Sequence, residues 1–425
     1  MPLIPEGVAL IEGALATPAG FGSRSRRRWV LAILLAVATF NMLDRGAIGI
    51  VQEPMRKELG LSDFELGLLG GPAFAFLYTF VSIPLARMAD RHPRIPLIGA
   101  CLAVWSLMTA LCGLAGNVLS LLLCRLGVSV GEAGSAPASQ TVIFDYYPPD
   151  ARATALSVLA LATPLSSLAA GLIGGWLAET FGWRAMFLAL GLPGLLLAAV
   201  LWATVREPPR ASGPDEGRLA EFANTSLAQA LRAIWGRPTV AIMAVAVSLA
   251  CFAGYGVSQY FVSFLMRSHG LSLGQGALFG ALVYGGCAGA GTLTGGLLSD
   301  WGRKRFPRIA VWLPAVGLMV AGPCYMAGYH SASLVLMTAL VMIGAFTNYL
   351  YVGAMSAVLL EVVPPQVRST SAALLMLIIT LIGYGLGPPC LGLLSDAFAG
   401  GKLAADGLTS AACAIGASAI VTRCE

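Results

Sequence analysis

The chain consists largely of apolar runs of about 20 residues that are separated by short polar connections. Four of these runs, at residues 29–50, 95–116, 185–205 and 309–329, are each long enough to cross the hydrocarbon core of a bilayer as one helix. Backbone groups in that core must be paired internally, and runs of this length are too long for barrel strands. Only 11% of the residues are charged, against about 25% in soluble domains. The sequence therefore predicts an all-α membrane protein.

Twelve transmembrane helices are predicted, six on each side of one long polar segment. The predicted spans are 29–50, 64–88, 95–116, 118–144, 153–177 and 185–205, then 240–266, 273–298, 309–329, 333–360, 370–394 and a short last run that ends at residue 421. The polar segment is rich in proline and charged residues, as linkers are. We predict a cytoplasmic tail at 1–28, a six-helix bundle at 29–205, a cytoplasmic linker at 206–237 and a second six-helix bundle at 238–425.

The distribution of basic residues predicts the orientation. Most of them lie in connections on the side of the N-terminus, at 24–28, 91–94, 152, 206–237, 303–308 and 368. Cytoplasmic loops carry an excess of Lys and Arg, so we predict that both termini are cytoplasmic and that the protein lies in the plasma (inner) membrane. The net charge of +5 is then a topology signal, and no nucleic-acid partner is expected.

Two segments of the first half recur in the second. Asp90 and the basic residues after the second span are matched by Asp300 after the eighth, 210 residues later. The sequence PPDARAT at 148–154 is matched by PPQVRST at 364–370, an offset of 216. Each pair stands at the same place in its half, which predicts two parallel six-helix repeats around a midplane site with alternating access.

The loop after the second span resembles the signature of the major facilitator superfamily, Gly-x-x-x-Asp-Arg-x-Gly-Arg-Arg. The first copy reads ARMADRHPR at 86–94 and the second GLLSDWGRKR at 296–305, so both depart from the pattern. In this family the Asp and Arg hold cytoplasmic helix ends together in the outward-facing state. The resemblance implies a cytoplasmic gate at Asp90, Arg91, Arg94, Arg152, Asp300, Arg303 and Arg368. The alternative is that these charges only set the topology.

Within the superfamily the chain resembles the spinster-like carriers of lysolipids and sphingoid lipids. The resemblance rests on NMLDR at 41–45 in the first span, and on Arg125, the run GEA at 131–133 and Pro137 in the fourth. It covers nearly the whole chain. Organic-anion symporters of the superfamily carry a similar Asp-Arg pair and a similar GEA run, so these motifs are only moderately specific.

Four ionisable residues fall inside predicted spans, namely Asp44, Arg45, Arg125 and Glu132. A charge at the bilayer midplane costs about 2.5 to 3.5 kcal/mol on insertion scales, so these groups must pair or face water. Arg125 and Glu132 lie on one helix face, roughly 10 Å apart, and Asp44 lies at the depth of Arg125. We predict an Asp44–Arg125 pair and expect Glu132 to be the less compensated carboxylate.

Those two carboxylates are the candidates for proton coupling. His92, His269 and His330 all fall in loops, so a coupled proton would have to use Asp44 or Glu132. The alternative is a permanent structural network of the four charges. Apolar packing often replaces such a network at little cost, which favours coupling.

The second half carries aromatic residues instead of charges inside its seventh, eighth, tenth and eleventh spans. The candidate substrate-cavity residues are Tyr255, Tyr260, Asn348, Tyr349 and Tyr384. Most buried aromatic residues simply pack, but as a group these predict an aromatic wall opposite the charged one. We also predict that the eleventh helix bends during gating near residues 385–389, where glycines precede two prolines.

These observations predict a secondary transporter for an amphipathic lipid, a lysophospholipid or a sphingoid lipid, with proton coupling as a hypothesis. Membrane lipids are expected partners, and a monomer is expected.

One rival is a proton-coupled symporter of small organic anions, which would favour a second buried cation in the second half. Another is a multidrug exporter, although the fifth span lacks the Gly-Pro then Gly-Gly pattern of such antiporters. No catalytic triad, metal cluster or phosphate loop appears in the spans, so an enzyme, a cofactor and a metal are not expected, whereas a receptor that does not transport stays open.

Overall fold

The computed structural model describes residues 21–209, 236, 238–303, 305–306, 308–351 and 377–405, and in these ranges every regular element is a helix. The helices of the first half are α1 (Arg24–Leu59), α2 (Asp63–Gly70 and Pro72–Arg91), α3 (Arg94–Cys112), α4 (Val118–Glu132 and Ser135–Tyr146), α5 (Pro149–Ala160, Ala162–Ala169, Ala170–Gly174 and Gly175–Phe181) and α6 (Trp183–Thr204). Those of the second half are α7 (Pro238–His269), α8 (Leu273–Gly280, Ala281–Cys287 and Ala288–Arg303), α9 (Ile309–Tyr329), α10 (Leu334–Asn348) and α11 (Thr380–Leu386 and Gly387–Ala405).

Nine helices in the described ranges, α1 to α8 and α11, are long and apolar enough to cross a membrane, and α10 is a shorter apolar helix. The predicted spans that fall in these ranges coincide with the observed helices, which mostly extend a few residues beyond them. The last predicted run lies outside the described residues. The all-α prediction is confirmed, while the count of twelve stays a prediction.

Local sequence signals set the helix ends between the apolar runs. Helix α1 stops at Gly60, whose φ of +66° suits glycine. Helix α2 then begins with a capping box, in which the Ser62 hydroxyl accepts from the Glu65 N–H and the Glu65 carboxylate accepts from the Ser62 N–H. Helix α8 begins with the equivalent box of Ser272 and Gln275. The α1–α2 and α7–α8 connections lie at the same end of the molecule, which we call the far end. Residue 24 and the α2–α3 connection lie at the opposite end, the N-terminal end.

Five helices, α2, α4, α5, α8 and α11, are interrupted near their middles, and four of these interruptions repeat between the halves. Helix α2 is interrupted at Gly71, and the π-helical segment of α8 begins at Ala281, 210 residues later. The π-helical segment of α5 begins at Ala170 and that of α11 at Thr380, again 210 residues apart. This is the offset that relates Asp90 to Asp300, so the sequence repeat is also a repeat of backbone geometry.

The four helices of this repeat also join the halves, because α2 packs on α11 and α5 packs on α8. The uninterrupted helices α1 and α7 contact each other as well. The contacts are close because small residues line them. A Cβ atom added at Gly67 would lie 2.6 Å from the Pro388 carbonyl oxygen, and one at Gly175 would lie 2.5 Å from the Ala277 Cβ. One apolar cluster at the far end contains side chains of both halves, including Met55 and Leu273.

Candidate transport site

Helices α1 and α4 bring the four predicted charges together inside the first half. Arg45 Nε donates to Glu132 Oε2 at 2.7 Å, and Arg125 Nη1 lies 3.6 Å from Asp44 Oδ2. Thr109 of α3 donates its hydroxyl hydrogen to the same Asp44 oxygen at 2.9 Å. The side chains of Asp44, Arg125 and Glu132 are buried, while that of Arg45 is 22% exposed.

The predicted Asp44–Arg125 pair is confirmed, but the expectation that Glu132 is the less compensated carboxylate is wrong. Glu132 has the shorter contact of the two carboxylates, since Arg45 donates to it directly. Helix spacing sets the depth of a Cα atom, whereas a long arginine side chain reaches well beyond its own turn. The partner of Arg45 was therefore not accessible from spacing alone.

An aromatic residue that the sequence reasoning missed lies between the two arginines. The Phe74 ring of α2 is wholly buried, with the Arg45 Cζ atom 4.6 Å and the Arg125 Cζ atom 5.7 Å from its centroid. Tyr78, one turn along α2, places its ring 4.7 Å from the same Arg45 atom. Cation–π contacts of this kind hold a guanidinium group without neutralising its charge. The spacing of Phe74 and Tyr78 on one face of α2 was the available signal.

Several polar atoms of this cluster have no hydrogen-bond partner among the described residues. They include all three side-chain nitrogens of Arg125, together with one oxygen each of Asp44 and Glu132. A buried guanidinium group has five N–H donors, and leaving them unpaired is costly. The arrangement therefore suits a ligand or water that accepts hydrogen bonds from Arg125.

Part of the predicted aromatic wall faces this cluster. The Tyr384 ring packs edge-to-face on Phe74 at 5.6 Å between centroids, and on Tyr255 at 5.2 Å. The Tyr384 hydroxyl is buried and has no described partner. Asn348 is buried at the end of α10 close to Gly254 of α7, and Tyr349 follows it half-buried. Aromatic side chains of the second half thus adjoin the charges of the first through Phe74.

Tyr260 does not belong to this wall, so its assignment to the substrate cavity is corrected. Its hydroxyl donates to the Asp63 carbonyl oxygen at 2.5 Å, at the far end. Five residues separate Tyr260 from Tyr255, which on an α-helix means about 7.5 Å along the axis and a different face. Tyr260 therefore holds α7 against α2.

The predicted cytoplasmic gate is only partly within the described structure. Arg94 is buried and donates from Nε to Glu207 Oε1 at 2.8 Å, and it also pairs with Asp145, so it joins the ends of α3, α4 and the segment after α6. Arg91 is exposed. The side chains of Asp90, Arg152, Asp300 and Arg303, and the whole of Arg368, lie outside the described part, so the gate stays a prediction.

These features, two halves of irregular membrane helices around buried charges, are those of a secondary transporter. The chain matches the Major Facilitator Superfamily over residues 34–388 and belongs to that family of membrane transporters. Its place within the family is the spinster-like branch. It is 37% identical to a solved bacterial homolog of the human lysosomal transporter Spinster in an inward-facing and unoccupied conformation, with a TM-score of 0.82 over 91% of this chain and 86% of that one.

Other relatives carry different names. An MFS-type efflux pump of Mycolicibacterium smegmatis is 30% identical over 87% of this chain and 85% of its own length. The probable galactarate/D-glucarate transporter GudP of Escherichia coli is 25% identical over 66% of this chain and 67% of its own. The protein is therefore a multi-pass membrane transporter of a small molecule and not an enzyme, as predicted, and its relatives leave the substrate open.

Proposed function

We propose that the protein moves an amphipathic lipid, a lysophospholipid or a sphingoid lipid, by alternating access coupled to protons. The observation that carries this proposal is the buried Arg125 guanidinium group, which has unpaired N–H donors and lies beside the Phe74 ring. A phosphate or hydroxyl headgroup accepts hydrogen bonds from such a group. A hydrocarbon tail suits the aromatic surface that continues through Tyr384 to Tyr255.

The Arg45–Glu132 pair supplies a route to proton coupling. When Glu132 takes up a proton, Arg45 loses its charge partner but keeps the contacts with Phe74 and Tyr78. The freed guanidinium group then attracts an anionic headgroup. Protonation and substrate binding therefore favour each other, which is the linkage that a symporter requires, whereas an antiporter requires that the two compete.

The driving force is adequate for such a cycle. One proton that crosses 100 mV releases about 2.3 kcal/mol. Each tenfold concentration gradient of substrate takes about 1.4 kcal/mol. One proton for each substrate would thus sustain a gradient of several tens.

The remaining sequence predictions complete the proposal. We propose that the protein lies in the inner membrane with both termini in the cytoplasm. Its two six-helix bundles are then residues 29–205 and 238–425. Arg94 with its acidic partners is well placed to brace the cytoplasmic ends of α3 and α4. We propose that Asp90 and Arg91, with their counterparts in the second half, close this side in the outward-facing state, and that the carrier works as a monomer.

Two rival substrates have support of their own. The similarity to GudP favours a small dicarboxylate, which would bind between Arg45 and Arg125. The similarity to an efflux pump favours an exported drug. Against the first, the predicted spans at 240–266, 273–298, 333–360 and 370–394 contain no Lys or Arg, so their sequence offers no buried cation for a second carboxylate.

Transport assays in proteoliposomes test the proposal. Uptake of labelled lysophospholipid and sphingoid lipid is measured with and without an imposed pH gradient, for the wild type and for Glu132→Gln. The matched control is Glu179→Gln, which removes the charge of an exposed carboxylate in α5. We expect gradient-dependent lipid flux that Glu132→Gln abolishes and Glu179→Gln preserves.

Other outcomes separate the two parts of the proposal. Lipid flux that ignores the pH gradient and survives Glu132→Gln would refute coupling through that residue. Transport of galactarate or of a cationic drug, with no lipid flux, would refute the lipid substrate and favour the corresponding rival.

A further inference from the structure

Arg267, whose side chain is 28% exposed, joins the two halves at the far end by pairing with two buried carboxylates. Its Nη1 and Nη2 atoms donate to the two carboxylate oxygens of Asp63, each at 2.8 Å, and its Nε atom donates to Glu53 Oε2 at 2.7 Å. Arg267 belongs to α7, whereas Glu53 belongs to α1 and Asp63 begins α2. Bidentate pairs of this kind are strong and geometrically specific.

Helix α11 adds a second connection to the same end of α2. Asp396 Oδ1 accepts from the Asp63 N–H at 3.2 Å, and Asp396 Oδ2 accepts from the Phe64 N–H at 2.9 Å. The Ser395 hydroxyl donates to Asp63 Oδ2 at 2.6 Å. A carboxylate of the second half thus caps the N-terminus of a helix of the first half, where negative charge is favoured.

Polar groups without partners lie directly beneath this connection. The Gln52 side chain is wholly buried, and neither its oxygen nor its nitrogen has a hydrogen-bond partner among the described residues. The same holds for Gln259 Nε2 and the Ser263 hydroxyl of α7. Gln259, Ser263 and Arg267 are four residues apart in turn, so they follow one face of α7. Gln259 fits against Gly49 of α1 and Gly70 of α2, between the halves.

We propose that Glu53, Asp63, Arg267 and Asp396 form a far-end gate of the substrate path, and that Gln52, Gln259 and Ser263 are the polar lining exposed when this gate opens. Unpaired buried amides disfavour the closed arrangement, because they would bind water or a headgroup once the halves separate. The charge-assisted bonds of Arg267 and Asp396 favour it. The two effects oppose each other, which keeps two conformations close enough in free energy to interconvert.

This inference rests on the transporter class alone and not on lipid or proton transport. It is tested by the distance between spin labels at Gly116→Cys and Ala332→Cys, two exposed far-end positions in different halves, after the nine native cysteines are replaced. Pulsed electron paramagnetic resonance then reports the closed and the separated populations without any substrate. The labelled parent is expected to show mainly the short distance.

Variants of the gate should increase the separated population. Arg267→Gln removes the ion pairs, and Asp396→Asn weakens the cap of α2 without changing its shape. We expect Arg267→Gln to raise the ratio of separated to closed molecules by about tenfold or more, as the loss of charge-assisted bonds implies. The matched control is Arg184→Gln, which breaks the ion pair with Glu58 at the same end but within the first half, and should leave the distance unchanged.

A substitution in the polar lining should have the opposite effect on the separated population. Gln259→Leu removes an unpaired amide at similar volume, so the closed population should increase. If size-exclusion chromatography shows that Arg267→Gln is not folded, the spin-label distances in Asp396→Asn alone test the gate. An unchanged distance distribution in the folded gate variants, or the same change in Arg184→Gln, would overturn the proposal.

Discussion

Asp44 and Glu132 are both buried carboxylates, but their arginine partners differ in exposure and in the contacts that hold them. Arg125 is wholly enclosed and has Asp44 as its ion-pair partner, at 3.6 Å. Arg45 is partly exposed and lies against two aromatic rings besides its pair with Glu132. Neutralising Asp44 therefore leaves Arg125 buried without an ion-pair partner, whereas neutralising Glu132 leaves Arg45 partly exposed and still in contact with two rings.

The first prediction concerns stability. Asp44→Asn should destabilise the protein by roughly 3–5 kcal/mol, because it leaves Arg125 as an uncompensated buried charge. Glu132→Gln should cost clearly less, since Arg45 can turn towards water and keeps its ring contacts. Thermal unfolding in detergent, followed by tryptophan fluorescence, compares the two. The double variant Asp44→Asn with Arg125→Gln should recover part of the loss, and equal losses in both single variants would contradict this account.

The second prediction concerns the ring shared by the two arginines. Phe74→Leu keeps an apolar side chain but removes the π face, so it should weaken the positioning of Arg45 and Arg125 by about 1–2 kcal/mol. We expect a several-fold higher KM for the transported substrate. Phe187→Leu is the control, because Phe187 is equally buried but packs on Trp183, and the nearby Arg184 guanidinium group lies over the Trp183 ring instead. A similar change in KM in both variants would show a general packing effect.

At this scale the sequence was informative about which residues are charged and buried, but less so about their neighbours. The match in depth of Asp44 and Arg125 followed from helix direction and spacing. The roles of Phe74 and of Thr109 did not, since they depend on how α2 and α3 are rotated about their axes. The far-end carboxylates Glu53 and Asp63 were also missed, because they lie near helix ends where charge is unremarkable.

At the scale of helices, the apolar runs gave the spans to within a few residues because the bilayer sets their length. The interruptions in α2, α4, α5, α8 and α11 were not predicted. The bend expected near residues 385–389 during gating stays a prediction. A π-helical segment does occupy 380–386, just before the two prolines. Such wide turns occur mostly as short bulges inside α-helices, often at functional sites, and hydropathy does not record them.

The third prediction concerns the crossing of α3 and α4 beside the charges. A Cβ atom at Gly131 would lie 2.6 Å from the Trp105 backbone nitrogen and 2.9 Å from the Cys101 carbonyl oxygen, so the helices would have to separate. Gly131→Ala should destabilise the protein by about 1–3 kcal/mol and displace Glu132. Gly322→Ala in α9 is the control, because nothing lies within 4 Å of its added Cβ, and it should be neutral or stabilising. The unfolding temperatures of the two variants are compared, and equal values would mean that the close contact of α3 and α4 at Gly131 does not limit stability.

At the scale of the whole molecule, the halves are held together at the far end by ion pairs, a helix cap and close backbone contacts of α2 with α11. The solved bacterial Spinster homolog, which is similar to this chain, is in an inward-facing conformation. The offset of 210 residues was enough to predict two related halves. It was not enough to predict which end is closed, because one sequence must serve both conformations of an alternating-access carrier.

The last prediction tests whether transport requires the halves to separate near α2 and α11. The Cβ atom of Ala75 lies 3.3 Å from a Cβ built at Gly385, close to the spacing of a disulfide. In a background without native cysteines, oxidation of Ala75→Cys with Gly385→Cys should stop transport, and a reductant should restore it. Gly46→Cys with Ala170→Cys, 3.9 Å apart by the same measure, joins α1 to α5 within the first half and should not stop it. Continued transport by a fully cross-linked Ala75–Gly385 variant would mean that this contact between the halves does not open during the cycle.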